Sequence, residues 1–159
     1  MPDLKVAVVS QQAKYGYGEP ICMTLEVRNL SQRRLFLVAH RAYARKVGAR
    51  GLEVLVGQAA LATSLYYYRF VPPDLRSVSP KATAKLPISV GLPLRESLID
   101  NHGIYIERDV PLDGKVSVAV VIGYLLTEFR PKTNDPWGEF VQQQKLFDAP
   151  VITVNLSPH

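Results

Sequence analysis

Cysteine is almost missing from this chain. Cys22 stands alone, so no internal disulfide can form and the paired spacing of a structural zinc site is excluded. Histidine is equally sparse: His40, His102 and His159 are far apart, and neither a zinc set nor a copper set built on Cys22, Met23 and His40 emerges. The sequence therefore predicts no metal and no cofactor. No apolar run reaches the roughly 20 residues a membrane helix requires. The first residues, Met1-Pro2-Asp3-Leu4-Lys5, lack a basic region followed by an apolar core, so no secretory signal is expected. With a single cysteine, that favours a cytoplasmic location. A nucleophile elbow and a phosphate-cradling glycine loop are also missing, so no catalytic residues are assigned and the chain is read as a non-enzyme.

What is present is strand pattern. In 116–127, Val116, Val118, Val120, Ile122, Tyr124 and Leu126 form one period-two set, and Ser117, Ala119, Val121, Gly123, Leu125 and Thr127 a smaller, mixed one. The β-branched residues lose rotamer freedom in a helix, and Gly123 weakens one further. This stretch should be a central strand, its large face turned to the main core. Residues 4–9, 21–29, 34–40, 52–56, 64–71, 82–90 and 104–108 read as further strands, and 150–156 as the end of a return arm. Residues 41–50 suggest a helical turn or irregular connection, 58–63 a short helical link, and 91–101 a loop with a short helical element. The segment 130–138, with Pro131, Asn134, Asp135, Pro136 and Gly138, should be the exposed connection of a long hairpin.

Eight or nine strands separated by turn signals, within 159 residues, predict an all-β single domain spanning 1–159. A single Ig-like β-sandwich with at most short helical turns is expected, and a closed barrel is the alternative. The succession Tyr17-Gly18-Glu19-Pro20-Ile21, then Thr24-Leu25-Glu26-Val27-Arg28-Asn29, then Ser31 and an apolar strand, resembles a recurrent pattern of bacterial Ig-like β-sandwiches. A similar opening occurs in the intracellular proteinase inhibitor type known as BsuPI. The resemblance covers residues 15–40 and implies the fold; no inhibitory segment is matched, so proteinase inhibition is a minor reading.

The charge pattern is the main functional clue. Seven basic residues, Arg28, Arg33, Arg34, Arg41, Arg45, Lys46 and Arg50, fall within 28–50, where neither Asp nor Glu occurs, in a chain of net charge +5. Arginine pairs bidentately with carboxylate and phosphate, so a shared face would recognise an acidic protein, nucleic acid or an anionic surface. A solvated arc neutralised within the fold is the bland alternative, with Glu96, Asp100, Glu107, Asp109 and Asp113 as possible counter-charges on this chain or a second copy. Trp137, in the expected hairpin tip, is a candidate contact residue; Tyr66, Tyr67 and Tyr68 are expected mostly in the core. Cys22 is expected to be a small buried hydrophobe. Asn29-Leu30-Ser31 and Asn155-Leu156-Ser157 match glycosylation acceptors but read as turn and terminal chemistry. Asp100-Asn101-His102-Gly103 reads as a turn, and Glu107 and Asp109 as surface carboxylates on one strand face. The reading is a non-enzymatic protein-interaction or structural module, its partner a protein or a second copy. A basic nucleic-acid or anionic-surface binder is the first alternative.

Overall fold

The computed structural model describes residues 2–38, 42–56, 74–99 and 102–158. The expected strand at 64–71 with its three tyrosines, the link at 58–63, and His40, Arg41, Asp100, Asn101 and His159 lie outside the described residues. The fold is all-β, with one short helix among the described residues.

The strand expected at the centre is there: β11 (Gly114–Leu125) pairs with four others. On one side lie β12 (Lys145–Asp148) and β13 (Ile152–Leu156), both antiparallel to it. On the other lie β6 (Gly51–Val56), parallel, and β4 (Leu35–Val38), antiparallel. Three strands extend this sheet: β2 (Lys14–Tyr15) beside β13, β5 (Tyr43–Val47) beside β6, and β7 (Leu75–Val78) beside β4. A second sheet sets β3 (Ile21–Asn29) between β1 (Leu4–Ser10) and β8 (Thr83–Val90). A two-stranded hairpin, β9 (Leu94–Ile99) and β10 (Tyr105–Val110), stands apart.

Alternation explains how the two larger sheets meet. Val116, Val118, Val120 and Ile122 of β11 are buried together with Ile21, Met23, Leu25 and Val27 of β3 and Ala84, Leu86, Ile88 and Val90 of β8, in one apolar cluster. Each strand turns every second side chain inward, and the outward ones stay wet. Burying such a side chain contributes about 2 kcal/mol against leaving it in water. This common core fixes both sheets, and hence everything mounted at their ends.

The small second face of β11 divides. Ser117 is exposed and Ala119 and Val121 are half-buried, whereas Leu125 joins Val38 and Phe140 in a second buried cluster with Phe36, Leu75 and Phe129 against it. Phe140 belongs to helix α1 (Pro136–Gln143), which covers this end of the sheet. The side-chain amide of Gln144 lies over Gly123 in the space a Cβ would take, so a larger residue there would have to displace it.

Several short elements depart from expectation. Residues 91–101 carry β9 rather than a loop, because Glu96 sits among the apolar residues opposite Arg108 and breaks the visible alternation. Residues 41–50 carry β5, which is paired to β6 with Arg45 opposite Glu53. The tip at 130–138 leads into a helix instead of a simple connection. Asp135 caps it, its Oδ1 accepting from the Gly138 amide at 2.9 Å, and Pro136 begins it. Asp-Pro was read as turn chemistry; it serves as well at a helix start, where the missing proline amide costs nothing. Cys22 is half-exposed on the outer face of β3, because Ile21 and Met23 take the inward positions.

Candidate contact surfaces

The six described basic residues of 28–50 do not form one surface; Arg41 lies outside the described residues. They divide between the two ends of β11.

At one end Arg28, Arg33 and Arg34 converge on the turn that leaves β3, and Asn29 holds that turn. Fully buried, it uses its whole side chain: Nδ2 donates to the carbonyls of Arg33 (2.7 Å) and Val78 (3.0 Å), and Oδ1 accepts from the amide (2.9 Å) and hydroxyl (2.8 Å) of Ser31. Its backbone pairs with Lys81 and Ala82. Since Val78 belongs to the other sheet, Asn29 staples the two layers. A buried amide with every bond made is stable and directional. This also decides between the two readings of Asn29-Leu30-Ser31: the side chain is committed inside the fold.

Around that staple cations outnumber acids. Arg28 faces Lys5 directly across the β1 and β3 ladder, a like-charge pairing that costs stability. Arg33 and Arg34 are exposed on the turn, and the ammonium of Lys81 donates to the carbonyl of Leu30 beside them. Among the described residues, Lys5, Arg28, Arg33 and Arg34 form no ion pair. The nearby acid, Asp3, is engaged: Tyr124 donates to it at 3.2 Å and the Lys145 ammonium lies at 3.9 Å. Burial, then the charge of Asp3 and this hydrogen bond, push the Tyr124 phenol up to about 12.

At the other end two of the three basic residues of the run are engaged. Arg45 bonds Glu53 at 2.6 and 2.9 Å, and the Lys46 ammonium donates to the Pro111 carbonyl at 3.0 Å. Arg50 is exposed, with its carbonyl accepting from the Ser117 amide at 3.0 Å. Phe36, two residues after Arg34, pairs with Leu125. Ser117 to Leu125 is eight steps along β11, so the two groups are on the order of 25 Å apart at ~3.3 Å per residue.

Of the acidic stretch, Glu96, Glu107 and Asp109 pair with neither group of cations; Asp100 lies outside the described residues, and Asp113 forms no ion pair among them. Glu107 and Asp109 share a face, as expected, and both meet Arg95 at 3.5 Å, while Glu96 takes Arg108 at 2.8 Å. These charges pair within the β9 and β10 hairpin.

Trp137 lies in the first turn of α1, the helix seated on β4, so its position is at the same end of the sheet as Arg33 and Arg34. The approach to α1 is fixed by Glu139. Hydrogen bonds from the Thr133 amide first, then the Lys132 amide and the Thr133 hydroxyl, hold its carboxyl below the usual range against the opposing effect of desolvation.

Sequence reasoning missed Lys5 and Lys81. They lie far along the chain from the basic run, and only the pairing of β1 with β3 and the contact of 79–82 with Asn29 bring them in. Among the described residues no three His, Cys, Asp or Glu side chains are grouped to hold a metal ion. No helix among them is long and apolar enough to cross a membrane.

Neither a family model nor a curated protein matches the chain. Among solved structures it is similar to a mutant β-glucosidase from Listeria innocua in complex with laminaribiose, at 8% identity and a TM-score of 0.38. A structure of β-glucosidase from the same organism with isofagomine gives 8% identity and a TM-score of 0.32. The aligned regions span 98% and 96% of this chain but 16% of each enzyme chain. Likeness this slight bears on neither fold family nor activity.

Proposed function

We propose that this chain is a non-enzymatic protein-interaction module of Ig-like kind, and that it docks an acidic protein surface through the end bearing Lys5, Arg28, Arg33, Arg34 and Lys81. One observation carries the reading: Arg33 and Arg34 on the Asn29-stapled turn, with Arg28 and Lys5 on the strands beside it, gather without an ion pair among the described residues. Leaving like charges opposite one another costs folding stability, and a partner's carboxylates would recover it through bidentate hydrogen bonds. Surface complementarity is the mechanism, and no chemistry is required.

Arginines without partners also suit phosphate, so nucleic acid is the second reading. Partner capture at low and moderate salt separates the two, using the native chain and a folded Arg33→Glu/Arg34→Glu variant. A discrete protein retained by the native chain alone supports the proposal. Nucleic acid lost steeply with salt supports the second reading, and identical captures from both chains contradict each. Trp137 belongs to the same docking end in this proposal; unchanged capture by Trp137→Ala would remove it.

A further inference from the structure

The opposite end of the molecule holds a cleft of about 310 Å³ between the 16–18 turn, the link from β8 to β9 and the link from β10 to β11. Its walls and floor are apolar: Tyr17, Leu92, Leu94, Val110, Leu112 and Leu156. Leu94 and Leu156 are buried beneath it and belong to the main core, so the floor is rigid. Gly18, at the margin of the cleft, has a φ of +79°, where a side chain would be strained.

The polar groups at its margin are of one sign, against the net charge of the chain. Asp109 and Asp113 both line the cleft. Asp109 is held by Arg95 at 3.5 Å, whereas Asp113 has no ion pair or hydrogen bond among the described residues. Lys46 reaches this loop from β5 but spends its ammonium on the Pro111 carbonyl, and Lys115, two residues beyond Asp113, is exposed and pairs with neither aspartate among the described residues. An apolar recess with a single uncommitted carboxylate is complementary to an apolar body that carries a cation, because the body leaves water while the charge gains a counter-ion.

We propose that this cleft binds a small organic amine, an ammonium group on an apolar body of about ten heavy atoms, a size suited to a cleft near 300 Å³. The ammonium meets Asp113, and the body lies on Leu92, Leu112 and Tyr17 above Leu94 and Leu156. This site is independent of the basic docking end.

The test is a titration followed through backbone amide resonances, with phenethylammonium as probe and phenethyl alcohol and hydrocinnamate as its neutral and anionic counterparts. Saturable shifts at Tyr17, Leu92 and Leu112 are expected with the amine. The alcohol should bind at least about tenfold more weakly, and the anion more weakly still. Asp113→Asn, an exposed loop substitution that leaves the core intact, should bring the amine down to the level of the alcohol. Arg33→Glu/Arg34→Glu should leave amine binding unchanged, so failure of the docking proposal would not disturb this one. Equal binding of amine and alcohol, an Asp113→Asn variant that binds as tightly as the native chain, or no saturation at all would overturn it.

Discussion

The end of the molecule around Arg28, Arg33 and Arg34 and the end around Arg45, Lys46 and Arg50 descend from one acid-free stretch of chain, yet they have opposite electrostatic fates. On β5, strand pairing sets Arg45 across from Glu53 and brings Lys46 to a carbonyl, so most of that half is answered inside the fold. On the turn after β3, the ladder sets Arg28 against Lys5, and the staple leaves Arg33 and Arg34 in water. The difference teaches that a run of charge in sequence is not a surface. Register decides which charges meet a partner, and what remains unmet is the candidate for function.

Both ends depend on β11, so the largest loss comes from breaking what they share. Ile122→Asp buries a carboxylate among Ile, Val and Leu side chains, and should abolish cooperative unfolding at room temperature through a loss of at least ~4 kcal/mol. A thermal transition like that of the native chain would remove β11 from the centre of the fold.

Asn29→Ala separates the ends. It removes a donor from the carbonyls of Arg33, which keeps the Ser31 hydroxyl, and Val78, and an acceptor from the amide of Ser31, and should cost about 3 kcal/mol in denaturant unfolding. Asn29→Asp keeps the acceptor but sets a buried carboxylate oxygen against the carbonyls of Arg33 and Val78, so at neutral pH it should cost at least as much as Asn29→Ala. If the pole is organised by this staple, either change should also weaken acidic-partner binding while leaving the hairpin ion pairs of Arg95 and Arg108 intact.

Tyr124→Phe probes the same end through Asp3. Loss of the 3.2 Å bond should cost about 1 kcal/mol at neutral pH. The phenol's ordinary value is 10.0 and its folded value about 12. Between them the unfolded chain gives up the proton and the folded chain keeps it. The native advantage is therefore whole below pH 10 and is lost as pH rises toward 12. Parallel stability curves for native and variant protein across that window would contradict the bond.

The smallest effect is expected at the other end. Arg45→Ala removes an ion pair whose arginine side chain is 49% exposed, so it should cost under ~1 kcal/mol and leave partner binding unchanged.

The all-β class, the central strand and the long hairpin were legible because alternation over many residues reflects burial directly. Ile21, Met23, Leu25 and Val27 announce one face of β3, and the structure buries all four. What stayed hidden depends on partners distant in sequence. β9 was obscured because Glu96 occupies an apolar phase, where it is part-exposed and pairs with Arg108 across the hairpin. Asp135-Pro136 carries the same local signal for a turn and for a helix start, and the apolar cluster beneath Phe140 selects the helix. The basic run was visible, but its division was not. Lys5 and Lys81, distant in sequence, and Glu53, just past the run but set against Arg45 only by the β5 and β6 register, change its meaning.

The direct test of the central claim is a comparison of two charge reversals of equal size. Arg33→Glu/Arg34→Glu alters the stapled end, and Arg50→Glu/Lys115→Glu alters exposed cations at the opposite end. Binding of poly-L-glutamate, standing in for an acidic protein surface, would be measured for both beside the native chain at fixed salt. The first variant should lose at least about tenfold in affinity and the second less than about threefold, since contact rather than net charge governs a desolvated ion pair. Equal losses in the two variants would mean that the polyanion senses only overall charge, and the stapled end would have no claim to be the contact surface.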